Sequence, residues 1–241
     1  MSNEPNYNYA AGTARTDART FDVGLQAHMQ RVYKVMMYGL ALTGITAFFV
    51  SESPVMIDLL FNTPLKWVAL FGPLAIVWFG FSPRRAFKMS ASKVSGMFYL
   101  LSFLYGLMFS TIFLMFTDES IAKVFFITAG TFGGMSLLGY TTKRDLTALG
   151  SFLFMGLIGI ILASLVNLFL GSGLVHFIVS ILGVMIFTLM TAVDTQRIKE
   201  TYAHTNGRED NDKLATLGAL SLYLNFVLLF QSLMHLFGDR G

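Results

Sequence analysis

Gly183-Val-Met-Ile-Phe-Thr-Leu-Met-Thr-Ala-Val-Asp-Thr-Gln-Arg-Ile-Lys-Glu200 closes an apolar run that begins near Leu174. The run is long enough to cross a bilayer, yet it carries a carboxylate, Asp194, just before turning polar at Thr195-Gln196-Arg197. An acid at that position is costly unless it meets a partner or water. On a helical wheel Asp194 shares its face with Phe187, Gly183, Ser180 and His176. That face must look toward protein, because lipid would leave the acid unpaired. The matching partner lies in the last apolar segment, where Gly218, Ser221, Asn225, Ser232 and His235 fall on one side of a helix. Two neighbouring helices thus carry facing polar stripes, each with one strong hydrogen-bonding group, Asp194 and Asn225.

Composition fixes the class around this pair. Of 241 residues, 54% are hydrophobic and only 13% charged, about half the charge of a soluble domain. The chain reads as an all-α polytopic membrane protein. It has no cysteine, which excludes disulfides, thiol catalysis and cysteine metal sites. Residues 1–30 read as a flexible cytosolic tail without a signal-peptide core, so insertion would begin with the first membrane helix. Residues 31–241 read as one transmembrane domain.

Seven segments near the ~20 residues of a bilayer crossing are expected, at about 32–52, 66–82, 93–117, 121–141, 147–170, 174–196 and 214–237. Pro54 and Pro64 bracket the first loop, and Pro73 should bend the second helix rather than end it. Only Thr117-Asp118-Glu119-Ser120 divides the third segment from the fourth. Lys and Arg alternate between the sides of this layout, with fourteen on the N-terminal side and three, Lys66, Lys123 and Arg240, on the other. By the positive-inside rule the N-terminus is cytosolic and the C-terminus outside.

Small residues line several segments: Ser95, Ser102, Gly106 and Ser110 in the third, and Gly130, Gly133, Gly134 and Gly139 in the fourth. Packing is the plain reading of them. Gly134-Met135-Ser136-Leu137 has the look of an intramembrane protease serine motif, with His176 or His235 as a base. Depth defeats it, since Ser136 falls at the cytosolic end and both histidines at the outer end, on the order of 20 Å away. No enzyme is expected. The two histidines and Asn167 can approach one another outside, where water satisfies them more simply than a metal would.

Met190-Thr-Ala-Val-Asp-Thr-Gln-Arg-Ile198, followed by Gly218-Ala-Leu-Ser-Leu-Tyr-Leu-Asn-Phe-Val-Leu-Leu-Phe230, resembles the Bax inhibitor-1 family, and Gly139-Tyr-Thr-Thr-Lys-Arg-Asp-Leu146 adds to the likeness. The resemblance covers about residues 28 to 240. It implies a central seventh helix wrapped by the other six. It also implies a pH-sensitive calcium leak, or regulation of membrane proteases and cell survival through protein partners. The family's first acid matches Asp194; its second falls on Asn225, where this sequence departs. An arginine that latches the acid pair best matches Arg85, by its distance from Lys88-Met89-Ser90, with Arg84 a close competitor. Two carboxylates can share one proton and titrate as a unit, whereas an acid beside an amide cannot. The family's pH switch should therefore be weakened here.

The plainer alternative is structural. Arg197 stands three residues after Asp194, a spacing that permits a local ion pair, and Asn225 can pin two helices by a hydrogen bond worth about 1 kcal/mol. Calcium takes six to eight oxygens, so the pair suits weak, transient, water-assisted passage rather than storage, and no resident cofactor is expected. The expected function is a cation leak or transporter gated around Asp194 and Asn225 in a bacterial inner membrane. Its partners are the bilayer, Ca²⁺ and H⁺, with no nucleic acid. The alternative is a non-conducting regulator that binds other membrane proteins, such as proteases.

The charge count yields a test. A reporter placed after Arg240 should lie outside the cytosol, and one inserted within residues 208–212 should lie inside. Both reporters on one side would exclude seven crossings.

Overall fold

Small side chains set the closest helix contacts. A Cβ added at Gly139 would overlap the backbone carbonyl of Ala192, and one at Gly106 would stand 2.5 Å from Thr46 Cβ. Such positions let helices touch along their backbones, where packing in lipid must replace a hydrophobic drive. The computed structural model describes residues 7–81, 85, 88–205 and 211–241, with side chains from residue 23 onward except 204 and 205.

The described chain forms α1 (Tyr7–Ser51), α2 (Pro54–Phe61), α3 (Leu65–Ala75), a π-helical turn at Ile76–Gly80, α4 (Ala91–Met115), α5 (Asp118–Thr141), α6 (Thr147–Leu170), α7 (Gly173–Thr205) and α8 (Asn211–Phe237). No β-strand occurs among the described residues. Six of the helices are long and apolar enough to cross a membrane, counting the stretch Val23–Ser51 of α1. The expected second segment is not one straight helix. Leu65–Gly80 meets α2 at a 73° bend, the geometry of a broken span or a re-entrant loop.

Within the tail expected over residues 1–30, the described chain is helical from Tyr7 and continuous with the first membrane helix. Leu25, His28, Met29, Val32 and Met36 are buried at helical spacing, so the packed face begins well before the apolar run does. The loop expected between Pro54 and Pro64 holds α2: Ser53 Oγ accepts from Met56 N at 3.4 Å, and Pro54 sits in the first turn, where its missing N–H costs nothing. At Pro73 the helix does continue, as expected, passing into the π-helical turn. The division between the third and fourth segments falls at Phe116-Thr117, where Thr117 Oγ1 caps α5 by accepting from Ser120 N.

α8 packs against α1, α4, α5 and α7, and α6 packs on α7. Of the apolar window of α8, 72% is buried, against 6% for α6. The first is therefore an interior helix and the second a lipid-facing one, studded with exposed Phe152, Phe154, Leu162, Leu168 and Phe169. Two apolar grooves interrupt the outer surface. One of about 570 Å³ runs between α6 and α7 past Gly156, Gly159 and Ala163. The other, of about 380 Å³, lies where α1, α4, α5 and α8 meet, lined by Ala47, Phe109, Phe125 and Phe226.

The Gly139 contact is testable because its neighbour is backbone and cannot rotate away. Gly139→Ala should destabilise the protein by about 1–3 kcal/mol through overpacking. Gly133→Ala, on the same helix with open space around it, should not. Thermal melting in detergent compares them, and equal melting temperatures would refute the contact.

Candidate functional site

The seam between α7 and α8 is antiparallel and held at several heights. At one end His176 and His235 meet ring to ring at 4.6 Å. Further along, Gly183 leaves room for Ser232, whose Oγ would be 2.5 Å from an added Cβ. Then Asn225 Nδ2 donates to Asp194 Oδ2 at 2.8 Å, and beyond it Gly218 packs on Ile198. The two polar stripes therefore face each other along their length. Ser180 and Ser232 return their hydroxyls to their own helices, at His176 O and Leu228 O, and Ser221 sits half-buried one turn before Asn225. Asn167 accepts from Ser172 N at 3.0 Å in the α6–α7 turn.

Asp194 is 6% exposed and Asn225 5%. The second partner of the carboxylate is Arg197, whose Nη1 lies 3.6 Å from Asp194 Oδ1 one turn along α7. That side chain is 65% exposed, so its charge is screened and holds the acid only loosely. The amide is the buried contact. It leaves the site with one carboxylate, one neutral donor and one cation at the rim.

Arg85, expected as a latch on the acid, has another partner. Arg85 is exposed and its Nη1 donates to Phe79 O at 3.3 Å, while Asp194 is held by Asn225 and Arg197. A backbone carbonyl six residues back is nearer to hand for Arg85 than a carboxylate on another helix. Arg84, the competitor, lies outside the described residues.

The Asp-Thr-Gln-Arg run sends successive side chains to different neighbours. Thr195 Oγ1 lies 3.0 Å from Ser136 Oγ on α5, and Ser136 Oγ lies 2.6 Å from Tyr33 OH on α1. Gln196 clips the α5–α6 connection, donating from Nε2 to Arg144 O and accepting from Leu146 N, both at 2.8 Å. In that connection Asp145 accepts from Thr147, which holds its carboxyl below the usual range. Lys199 Nζ donates to Tyr140 O at 2.9 Å. Ser136, the serine weighed as a nucleophile, is thus shared between two hydroxyls. His176 stands nineteen residues from Thr195 along α7, about 28 Å at helical rise.

The hydroxyl chain Tyr33–Ser136–Thr195 was not legible beforehand, and neither was a second one on α8. There Tyr223 OH is 2.7 Å from Thr43 Oγ1, and the ring is fully buried beside Phe98 and Tyr105. The one available signal was the tyrosine inside Leu222-Tyr223-Leu224, an apolar context in which a phenol needs a partner. Among the described residues no group of three or more His, Asp or Glu side chains gathers as for a metal.

A family model described as "Inhibitor of apoptosis-promoting Bax1" matches residues 25–241. The inner membrane protein YbhL of Escherichia coli K12 is 43% identical over 220 residues, 90% of this chain and 93% of its own. An uncharacterized protein of Rickettsia prowazekii is 40% identical over 228 residues, 95% and 96% of the two chains. An uncharacterized membrane protein of Streptococcus pyogenes is 34% identical over 222 residues, 90% and 94%. The chain is an integral membrane protein and belongs to the Bax inhibitor-1 family.

Proposed function

We propose that this protein passes cations, calcium foremost, across a bacterial inner membrane along a path closed at Asp194 and Asn225. The observation that carries the reading is a carboxylate only 6% exposed, on a helix that packs against α8, the most buried of the candidate spans among the described residues. Ionisable groups inside membrane spans are costly and most often mark ion or proton routes. In this reading α2 and α3 together make the second of seven crossings, and α8 is the last and central one. The N-terminus is cytosolic and the C-terminus outside, in keeping with the fourteen-to-three division of Lys and Arg.

The Asp194–Asn225 contact is the closed position, and separation of α7 from α8 frees the carboxylate to meet a hydrated ion. With few oxygens at the site, Ca²⁺ is held briefly and keeps much of its water. No bond is made or broken, and no resident cofactor takes part. Because one carboxylate faces an amide, opening depends less on protons than it would with a second acid. Arg197, rather than Arg85, is the guanidinium that attends the closed site. A second reading has one observation in its favour: the apolar groove between α6 and α7, about 570 Å³, suits the helix of another membrane protein, as a non-conducting regulator requires.

Calcium flux into liposomes at matched protein density tests the first reading. Asp194→Asn should lower flux at least about tenfold, the loss of one charge-assisted contact with the ion. No flux from the unaltered protein under any condition would leave only the regulator.

The same assay addresses gating. Asn225→Asp should install a pH dependence between about pH 6 and 8, because two facing carboxylates change charge together. Protonation on the acid side holds the pair closed, and deprotonation on the alkaline side repels it open, so flux should rise with pH. Arg197→Gln should raise the leak at all pH values, whereas Arg85→Gln should leave it unchanged. A pH profile unaltered by Asn225→Asp would make Asn225 a packing residue.

A further inference from the structure

A third cavity differs in character from the two apolar grooves. It is a cleft of about 510 Å³ between α1, the last turns of α7 and the start of α8. Its wall includes Gly24, His28, Arg31, Lys34, Tyr202 and Asn211. Tyr202 lies eight residues beyond Asp194, about 12 Å further along α7, so the cleft is separate from the carboxylate–amide pair.

His28, Arg31 and Lys34 recur every third residue and fall within one third of the circumference of α1. Lys34 is exposed, and Arg31 pairs with Asp212 on α8. His28 is 6% exposed and stacks on Tyr202 with ring centroids 4.9 Å apart. Its Nδ1 has no hydrogen-bond partner, and neither has the buried Oδ1 of Asn211. Buried polar atoms without partners are uncommon and call for an explanation. Asn211 also stands in the first turn of α8, the end of a helix at which the backbone dipole favours an anion.

We propose that this cleft binds a phosphate group. A metal cation would meet Lys34 and Arg31, and the nearby acid, Asp212, is already engaged by Arg31. A phosphate instead takes the charge-assisted donors of Lys34 and the guanidinium N–H groups that Arg31 does not give to Asp212. Basic pockets between membrane helices are suited to phospholipid headgroups for this reason. A bare phosphate would leave Asn211 Oδ1, an acceptor, unmet. A phosphate ester whose substituent carries a hydroxyl or ammonium would donate to it and fill more of the cleft.

The test is thermal melting of the full-length protein in detergent, titrated separately with inorganic phosphate, short-chain phosphatidylglycerol and short-chain phosphatidylcholine. A saturable rise in melting temperature is expected with phosphatidylglycerol, weaker with phosphatidylcholine, whose headgroup has no donor. A rise with phosphatidylglycerol alone identifies a lipid headgroup, and an equal rise with inorganic phosphate identifies a free anion. Lys34→Gln should shift the midpoint about tenfold to higher ligand concentration, and Lys34→Arg should restore it. Lys143→Gln, the same loss of charge elsewhere, should leave it in place. The proposal is overturned if none of the three ligands gives a saturable rise, or if Lys34→Gln and Lys143→Gln behave alike.

Discussion

Asp194 is buried in a molecule whose outer surface is largely Phe, Leu, Ile and Met, and within that interior one amide nitrogen answers it at 2.8 Å. In hydrocarbon there is no water to take over if that contact fails, so the positions of α7 and α8 are tied to it. The seam obeys the requirement along its whole length. Histidine meets histidine, glycine makes room for serine, amide meets carboxylate, and glycine accepts isoleucine. A shift by one turn would place Asp194 against Leu222 or Leu229, both fully buried and without a donor in their side chains.

The same constraint explains the crowding of polar residues just past Asp194. Thr195 reaches α5, Gln196 the α5–α6 connection and Lys199 a carbonyl at the end of α5. Each of these bonds fixes the rotation of α7 about its own axis. Rotation sets where the carboxylate points. A site of this kind needs its supporting contacts on rigid elements, and here a single helical turn supplies them.

How much of this the sequence disclosed depends on the range of each interaction. Asp194 and Asn225 were legible because stripes at helical period on two neighbouring helices must face each other. The helix passing through Pro73 was legible from the apolar residues on both sides. The extension of α1 was hidden because Leu25, His28 and Met29 are interleaved with polar residues and form no run. The helix α2 was hidden because Pro54 reads as a breaker, although a serine just before it makes a helix start. The partner of Arg85 was not legible, because a long side chain has several acceptors within reach and spacing does not choose among them. Tyr33 and Ser136 stand 103 positions apart, and two hydroxyls carry no pattern that would pair them in advance.

The order of burial along the chain is the reverse of what synthesis would make easiest. The candidate span with the largest buried share, α8, leaves the ribosome after α1, α4, α5 and α7 have presented the faces that it covers. Until then Tyr105, Phe109 and the Asp194 carboxylate must be sheltered by lipid, water or one another. Assembly therefore cannot close progressively from the N-terminus and completes only when α8 inserts. The end of the chain then fastens over the opposite face: Asp239 N donates to Ser120 Oγ, Thr117 N to Asp239 O, and Gly241 N to Met115 O. A chain cut short before α8 would be left with an open, polar-lined trough in the bilayer, the kind of surface by which membrane quality control recognises an unfinished protein.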